Sequence, residues 1–331
     1  MRFLSRPIFL SASSIRLLAL ATALCVAQAA LAPAQAAAAG EEATVHKTDR
    51  IVSIGGALTE IIYALGGQDA LVAIDTTSVY PPEALVDKPN VGYMRALSAE
   101  GVLATDPGLI LMIEGAGPPE ALDLLKAAGV PMVSVAERDS KEGILDKIKV
   151  VGEALGATEA AATLAQTVAS EMDRIAATVS TIKGERKKIL FLMSIKGGRL
   201  LVGGAQTQAD AVIRLAGADN AAEGLTGFKP MSNEAIVKAN PDVILMMSGT
   251  GMATPDADEI YSQPALSRTN AAHHKALIVM PGMYLLGFGP RTPHALAELV
   301  EALYPGSFDE ADPLLANKAA PGSTPPLADK Q

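Results

Sequence analysis

The sequence predicts an α/β protein of two similar lobes with mainly parallel sheets. One long helix joins the lobes, and a ligand cleft lies between them. Three observations lead there. Short apolar strands alternate with helical stretches in both halves, the grammar of βαβ units. A segment of the first half recurs in the second: Leu97–Gly115 (LSAEGVLATDPGLILMIEG) aligns without a gap on Met231–Gly249 (MSNEAIVKANPDVILMMSG) at a constant offset of 134. Between the halves, Leu164, Val168, Met172, Ile175, Val179 and Ile182 recur every three or four residues, uninterrupted by Gly or Pro. That stripe predicts a helix over 158–182, roughly 37 Å long at 1.5 Å per residue. So long a helix makes a stiff connector, and two facing lobes offer a site at their interface.

The elements follow in order. Residues 1–40 hold no Asp or Glu; Arg2, Arg6 and Arg16 precede an Ala/Leu-rich stretch, Leu17–Leu31, with small-x-small sites at Ala27–Ala29 and Ala34–Ala36. This is the layout of a cleaved secretory signal peptide, assigned to 1–36, and the stretch is short of the roughly 20 residues of a membrane span. Cys25 follows Leu24, which is not the small residue a lipoprotein site wants. The first lobe is expected over 45–157: strands at Arg50–Ile54, Leu71–Ile74, Leu109–Ile113 and Pro131–Val135, helices at Thr59–Leu65 and Ala121–Ala128. The apolar run Leu109–Ile113 suits a parallel strand buried on both faces. The linking helix is assigned to 158–183 and the second lobe to 184–306, with strands at Lys188–Met193, Val243–Met247 and Ala276–Met280 and a helix at Asp210–Ala216. Residues 307–331, with Pro313, Pro321, Pro325 and Pro326 among Ala, Gly, Asp and Lys, read as a disordered tail.

Composition narrows the function. A chain of 331 residues, 49% hydrophobic, has room for two or three domains. Its net charge of −9 becomes −12 when the three leader arginines are removed, and no basic patch suggests a nucleic-acid partner. No tryptophan and 4% aromatics argue against an aromatic-cage sugar or choline binder. One cysteine excludes a disulfide framework and a thiolate zinc cluster. The four histidines are scattered apart from His273-His274, which leaves little for a dedicated zinc site. There is no Gly-x-Ser-x-Gly elbow and no His-Glu-x-x-His helix, so an exported hydrolase finds no support. Gly55-Gly56 and Gly115-Ala116-Gly117 follow strands, where α/β folds bind ligands and where a flat ring has room to approach. Neither is followed by the Lys-Ser/Thr of a phosphate loop.

An export signal, two α/β lobes and one linking helix resemble the periplasmic binding proteins of ABC importers for vitamin B12, siderophores and haem. Within that superfamily, RIVSIGGALTEIIYALGG (50–67), DTTSVYPPEA (75–84), VGYMRALSAEGVLATDPGLIL (91–111) and YLLGFGPRT (284–292) resemble the haem (hemin)-binding branch. The likeness covers about residues 50–305. It implies a non-enzymatic periplasmic protein that carries haem between its lobes and delivers it to the permease dimer of an ABC importer in the inner membrane. The same class includes carriers of cobalamin or ferric siderophores, and a haem scavenger without a transporter is a further reading.

The resemblance also implies residue roles. In the haem branch a tyrosine in Gly-Tyr-x-Lys/Arg is the axial ligand of ferric haem; here it is Tyr93. A phenol ordinarily titrates near pH 10, but ferric iron and a neighbouring cation both favour phenolate, and tyrosine is an established haem ligand. Arg95 is then expected to hydrogen-bond the phenolate or a propionate. Arg291 is placed to fork onto a propionate or to cap structure. Tyr284, Phe288, Phe228 and Met231 stand as haem-pocket or core residues. Some members supply a second-lobe histidine; the matching loop, Gly203–Gln208, has none. A five-coordinate tyrosinate site and two stacked haems with other ligands are both compatible with this. His273 and His274 read as surface residues, and His294 as opening the last helix. Glu100 and Glu234, equivalent in the repeat, match the pair of glutamates that meets permease arginines; two anionic knobs suit a two-fold partner. Each also follows a serine N-cap by two residues, where a carboxylate is favourable.

Overall fold

The computed structural model describes residues 49–249 and 256–316. The expected signal peptide and residues 317–331 of the expected tail lie outside them.

Two sheets organise the chain. The first contains β1 (Ile51–Ile54), β2 (Leu71–Ile74), β3 (Leu109–Ile113) and β4 (Met132–Val135), all parallel, in the order β2-β1-β3-β4. Every residue of β1 and β3 is buried, as continuous apolar runs covered on both faces must be. Its helices are α1 (Gly56–Ala64), α2 (Ala99–Leu103), α3 (Pro119–Ala127) and α4 (Lys141–Leu155). Next comes α5 (Thr158–Thr181), 24 residues, which buries Val168, Met172 and Ile175 of the predicted stripe together with Ala161; Leu164 and Val179 are half-buried, and Ile182 falls just past its end.

The second sheet contains β5 (Lys188–Lys196), β6 (Arg199–Gly203), β7 (Asp219–Asn220), β8 (Phe228–Met231), β9 (Val243–Ser248) and β10 (Leu277–Pro281). The strands β7, β5, β9 and β10 lie side by side and parallel, the same order as β2, β1, β3 and β4. The hairpin β5–β6 and strand β8 add antiparallel pairing to this core. Helices α6 (Gln208–Leu215), α7 (Asn233–Ala239), α8 (Gly282–Leu286), α9 (Thr292–Leu303) and α10 (Pro313–Ala316) follow, and further short helices lie at Ala84–Asp87, Ala257–Tyr261 and Asn270–His273.

The repeat read from the sequence is thus a repeat of structure. Its two copies form α2–β3 and α7–β9. Each helix opens on a serine: Ser98 Oγ accepts from Gly101 N, and Ser232 Oγ accepts from Ala235 N, both at 3.2 Å. Between helix and strand, Asp106 (φ 51°) and Asn240 (φ 45°), also 134 residues apart, take the left-handed conformation. Asp and Asn are the side chains that tolerate it best.

Two differences from expectation have physical causes. The antiparallel hairpin was not expected, although Gly197-Gly198 between two apolar runs is a hairpin turn signal. The described part of the expected tail, 307–316, is ordered. Leu314 and Leu315 are buried, Asp312 pairs with Arg174 at 2.7 Å, and the carbonyl of Leu314 meets His294 Nδ1 at 3.1 Å. Two leucines and an ion pair outweigh the Pro- and Gly-rich composition there.

The packing of α4 on α5 yields a stability prediction. A Cβ on Gly152 would lie 2.2 Å from the Cβ of Ala161, so the two helices touch there. Helix propensity alone favours Ala over Gly by about 1 kcal/mol. Gly152→Ala is nonetheless expected to lower stability, by roughly 1–3 kcal/mol from overpacking, measured by urea unfolding.

Candidate functional site

Residues at the carboxyl ends of β1, β2 and β3 build the candidate site. At the end of β2, Asp75 is fully buried. Its Oδ1 accepts from Gly55 N at 3.0 Å and Ser78 Oγ at 2.9 Å; its Oδ2 accepts from Thr77 N at 3.0 Å and Thr77 Oγ1 at 2.7 Å. Thr77 Oγ1 in turn accepts from Gly56 N at 2.9 Å, and Thr59 Oγ1 links Ser53 and Ser78. The amides of Gly55 and Gly56, where α1 begins, are therefore taken by protein groups. A Cβ on Gly56 would lie 2.3 Å from the carbonyl oxygen of Thr77 and 2.8 Å from Met283 Cε. This glycine serves internal packing and not, as the sequence suggested, the approach of a flat ligand. The contact also shows that the carboxyl ends of β1 and β10 meet, since Met283 follows β10.

The polar frame steadies the segment that follows it. Asn90 bridges to Ile74, Thr76 N donates to Gly92 O, and Gly92 N donates to Asn90 Oδ1. Met94 and Leu97 are buried, and both are tied to Gly117: Gly117 N donates to Met94 O, Leu97 N to Gly117 O. Between these anchors Tyr93 stands out, 44% exposed. Arg95 Nη1 donates to its phenol oxygen at 2.9 Å. The guanidinium fixes the ring and places a positive charge beside the oxygen, an arrangement suited to a hard cation that wants an anionic oxygen ligand.

The other pocket candidates divide differently. Arg291 does not reach into open space. Its Nη2 pairs with Glu60 Oε2 at 2.9 Å and its backbone N donates to Glu60 Oε1 at 3.1 Å. Its guanidinium carbon lies 3.5 Å from the ring centre of Tyr80 and 5.1 Å from that of Tyr284. Burial pushes the Glu60 carboxyl up, and Arg291 opposes the shift. The arginine therefore holds a buried ion pair, the structural alternative that the sequence left open. Phe288 is fully buried, with φ 46°, and offers no face to a ligand. Its carbonyl accepts from Lys147 Nζ at 3.2 Å, and the wholly buried Lys147 also pairs with Glu137 at 2.5 Å. Tyr284 is almost buried; burial first, and then Glu298, push its phenol up, so it stays neutral. Phe228 packs edge-on to Phe191 with ring centres 6.2 Å apart, and Met231 packs on the core of the second sheet.

Glu100 and Glu234 are exposed in the first turns of α2 and α7, behind their serine caps. His273 and His274 are exposed. The loop 203–208 ends β6 and caps α6 through Thr207 Oγ1, which accepts from Asp210 N at 3.1 Å. Sequence reading missed Glu60 and Lys147 as partners in these buried contacts. The signal was there: each charge stands on an apolar helix face, Glu60 before Ile61-Ile62 and Lys147 between Ile144 and Ile148.

Residues 51–284 match the family model described as periplasmic binding protein. The chain belongs to this family. Its members are substrate-binding proteins and not enzymes, and so is this chain. A relative in Bacillus subtilis (strain 168), the uncharacterised ABC transporter substrate-binding lipoprotein YvrC, is 32% identical over 278 residues, 82% of this chain and 86% of its own. The vitamin B12-binding protein of Yersinia pestis is 29% identical over 206 residues, 61% of this chain and 70% of its own. Among solved structures, the periplasmic haem-binding protein RhuT of Roseiflexus sp. RS-1 is similar, with a TM-score of 0.74 and 38% identity, over 79% of this chain and all of that one. So is the periplasmic haem-binding protein BhuT in complex with two haems: TM-score 0.73, 37% identity, 76% of this chain and 96% of that one. This periplasmic binding protein thus has the two-lobed α/β fold of haem-binding relatives.

Proposed function

We propose that this chain is an exported haem carrier: it binds haem between its lobes through the Tyr93 phenolate and delivers it in the periplasm to the permease dimer of an ABC importer. The observation that carries this reading is the exposed Tyr93 phenol with the Arg95 guanidinium 2.9 Å from its oxygen. An anionic oxygen meets the need of ferric iron. The likeness to RhuT and BhuT supports haem as the cargo. Haem is substrate here and not a resident cofactor. The lobes correspond to 45–157 and 184–306, with 158–183 between them. The test is titration of the purified mature protein with hemin: a saturable Soret band, with pyridine-haem quantitation giving the stoichiometry, is expected. No saturable band would end this reading. The B12-binding relative favours a second one, cobalamin as cargo, which cobalamin binding without hemin binding would establish.

Glu100 and Glu234 fit docking knobs in this reading. They are equivalent in the repeat, exposed, and outside every ion pair among the described residues. A Glu100→Ala/Glu234→Ala double variant is expected to keep its hemin affinity and to lose most hemin uptake in cells. Unchanged uptake would instead support a scavenger without a transporter.

A further inference from the structure

The internal repeat extends upstream of the segment first recognised. At the same offset of 134, Met94-Arg95-Ala96-Leu97-Ser98 meets Phe228-Lys229-Pro230-Met231-Ser232. Both read apolar, basic, small or proline, apolar, serine cap, and two residues later comes the exposed glutamate. The structure repeats the pattern in burial. Met94 and Leu97 point into the first half's core, with Arg95 and Ala96 exposed between them. Phe228 lies against Phe191 and Met231 against the second sheet's core, with Lys229 and Pro230 exposed between them. Lys229 is thus the second half's Arg95.

The partners differ in one informative way. Arg95 has the Tyr93 oxygen to bind, but the residue matching Tyr93 is Gly227, at φ 76°. Lys229 has no phenol beside it and enters no ion pair among the described residues. Among the described residues its exposed ammonium is thus without a counter-charge, held in β8 just before the helix that leads into β9, as Arg95 stands just before α2 in the first half. In a chain of net charge −9, an exposed cation repeated in both halves, with no internal partner in the second, is suited to an anion from outside.

We propose that Lys229 is a specificity-determining residue that binds a carboxylate of the ligand from the second lobe, while the first lobe supplies the iron ligand and Arg95. The proposal rests on the haem reading above and adds to it how the ligand's acid groups are recognised. Gly227 leaves the second lobe a charge without a metal ligand, so the two halves divide the work.

The test compares hemin with hemin dimethyl ester, which keeps the iron and ring but lacks the carboxylates. Wild-type protein should prefer hemin. Lys229→Ala should weaken hemin binding roughly tenfold, the scale of one charge-assisted hydrogen bond. The same substitution should leave ester binding, the Soret position and the unfolding midpoint unchanged, and Lys229→Arg should restore hemin affinity. An equal loss for both ligands, or none for either, would overturn the proposal. The second result would also return the cation to the permease or membrane surface. Absence of a Soret band in the wild-type protein would instead defeat the haem reading itself, a separate outcome.

Discussion

Replacing Tyr93 by phenylalanine is expected to lower hemin affinity by more than about 100-fold, since even outer-shell changes at metal sites cost 10–100-fold. The ring's packing is kept and only the oxygen is lost, so circular dichroism and the unfolding midpoint should not move. Arg95→Ala is expected to fall between wild type and Tyr93→Phe: the phenol remains, but the group that holds it 2.9 Å away is gone. The order of the three proteins is the content of the prediction. Equal affinity in Tyr93→Phe and wild type would mean the iron is held elsewhere.

The second large effect concerns stability. Arg291→Ala removes the counter-charge of Glu60 and leaves a carboxylate with 7% exposure. Breaking a buried pair from one side costs about 3–5 kcal/mol, and urea unfolding at neutral pH should show it. The pH dependence has a definite sign. Burial already raises the Glu60 carboxyl above its ordinary value even with Arg291 present, so loss of the arginine raises it further. A carboxyl with a raised folded pKa favours the folded state most when protonated. The deficit of Arg291→Ala should therefore shrink as the pH falls through the folded pKa of Glu60 and be largest above it. Adding Glu60→Gln should recover much of the loss at neutral pH and flatten the pH dependence. A small, pH-independent loss would show that the pair is only a surface contact.

Much of this architecture is readable from residues alone, for identifiable reasons. The continuous apolar runs at β3 and β9 leave little choice but buried parallel strands, and the constant offset of 134 predicts two halves of like topology. The serine caps of α2 and α7 are local chemistry, visible as Ser-x-Glu ahead of an apolar run. Tyr93 and Arg95 are two residues apart in one short segment, so their encounter is also local. The remaining site residues depend on distant partners. Arg291 meets Glu60 across 231 positions and Lys147 meets the Phe288 carbonyl across 141. The apolar neighbours of Glu60 and Lys147 mark each as a buried charge, but nothing near them or Arg291 reveals which distant group will face it. Phe288 is left open between pocket and core for the same reason: an aromatic after Leu-Gly suits a pocket wall or a core equally well. The tail misleads by composition, since four prolines mask the two leucines that anchor its start.

The central claim is that one phenolate grips the iron, and resonance Raman spectroscopy of the hemin complex tests it most directly. With excitation in the phenolate-to-iron charge-transfer band, ring modes of a coordinated tyrosinate should be present in the wild-type complex and absent from Tyr93→Phe. The same spectrum from both proteins, or no tyrosinate modes in either, would contradict it.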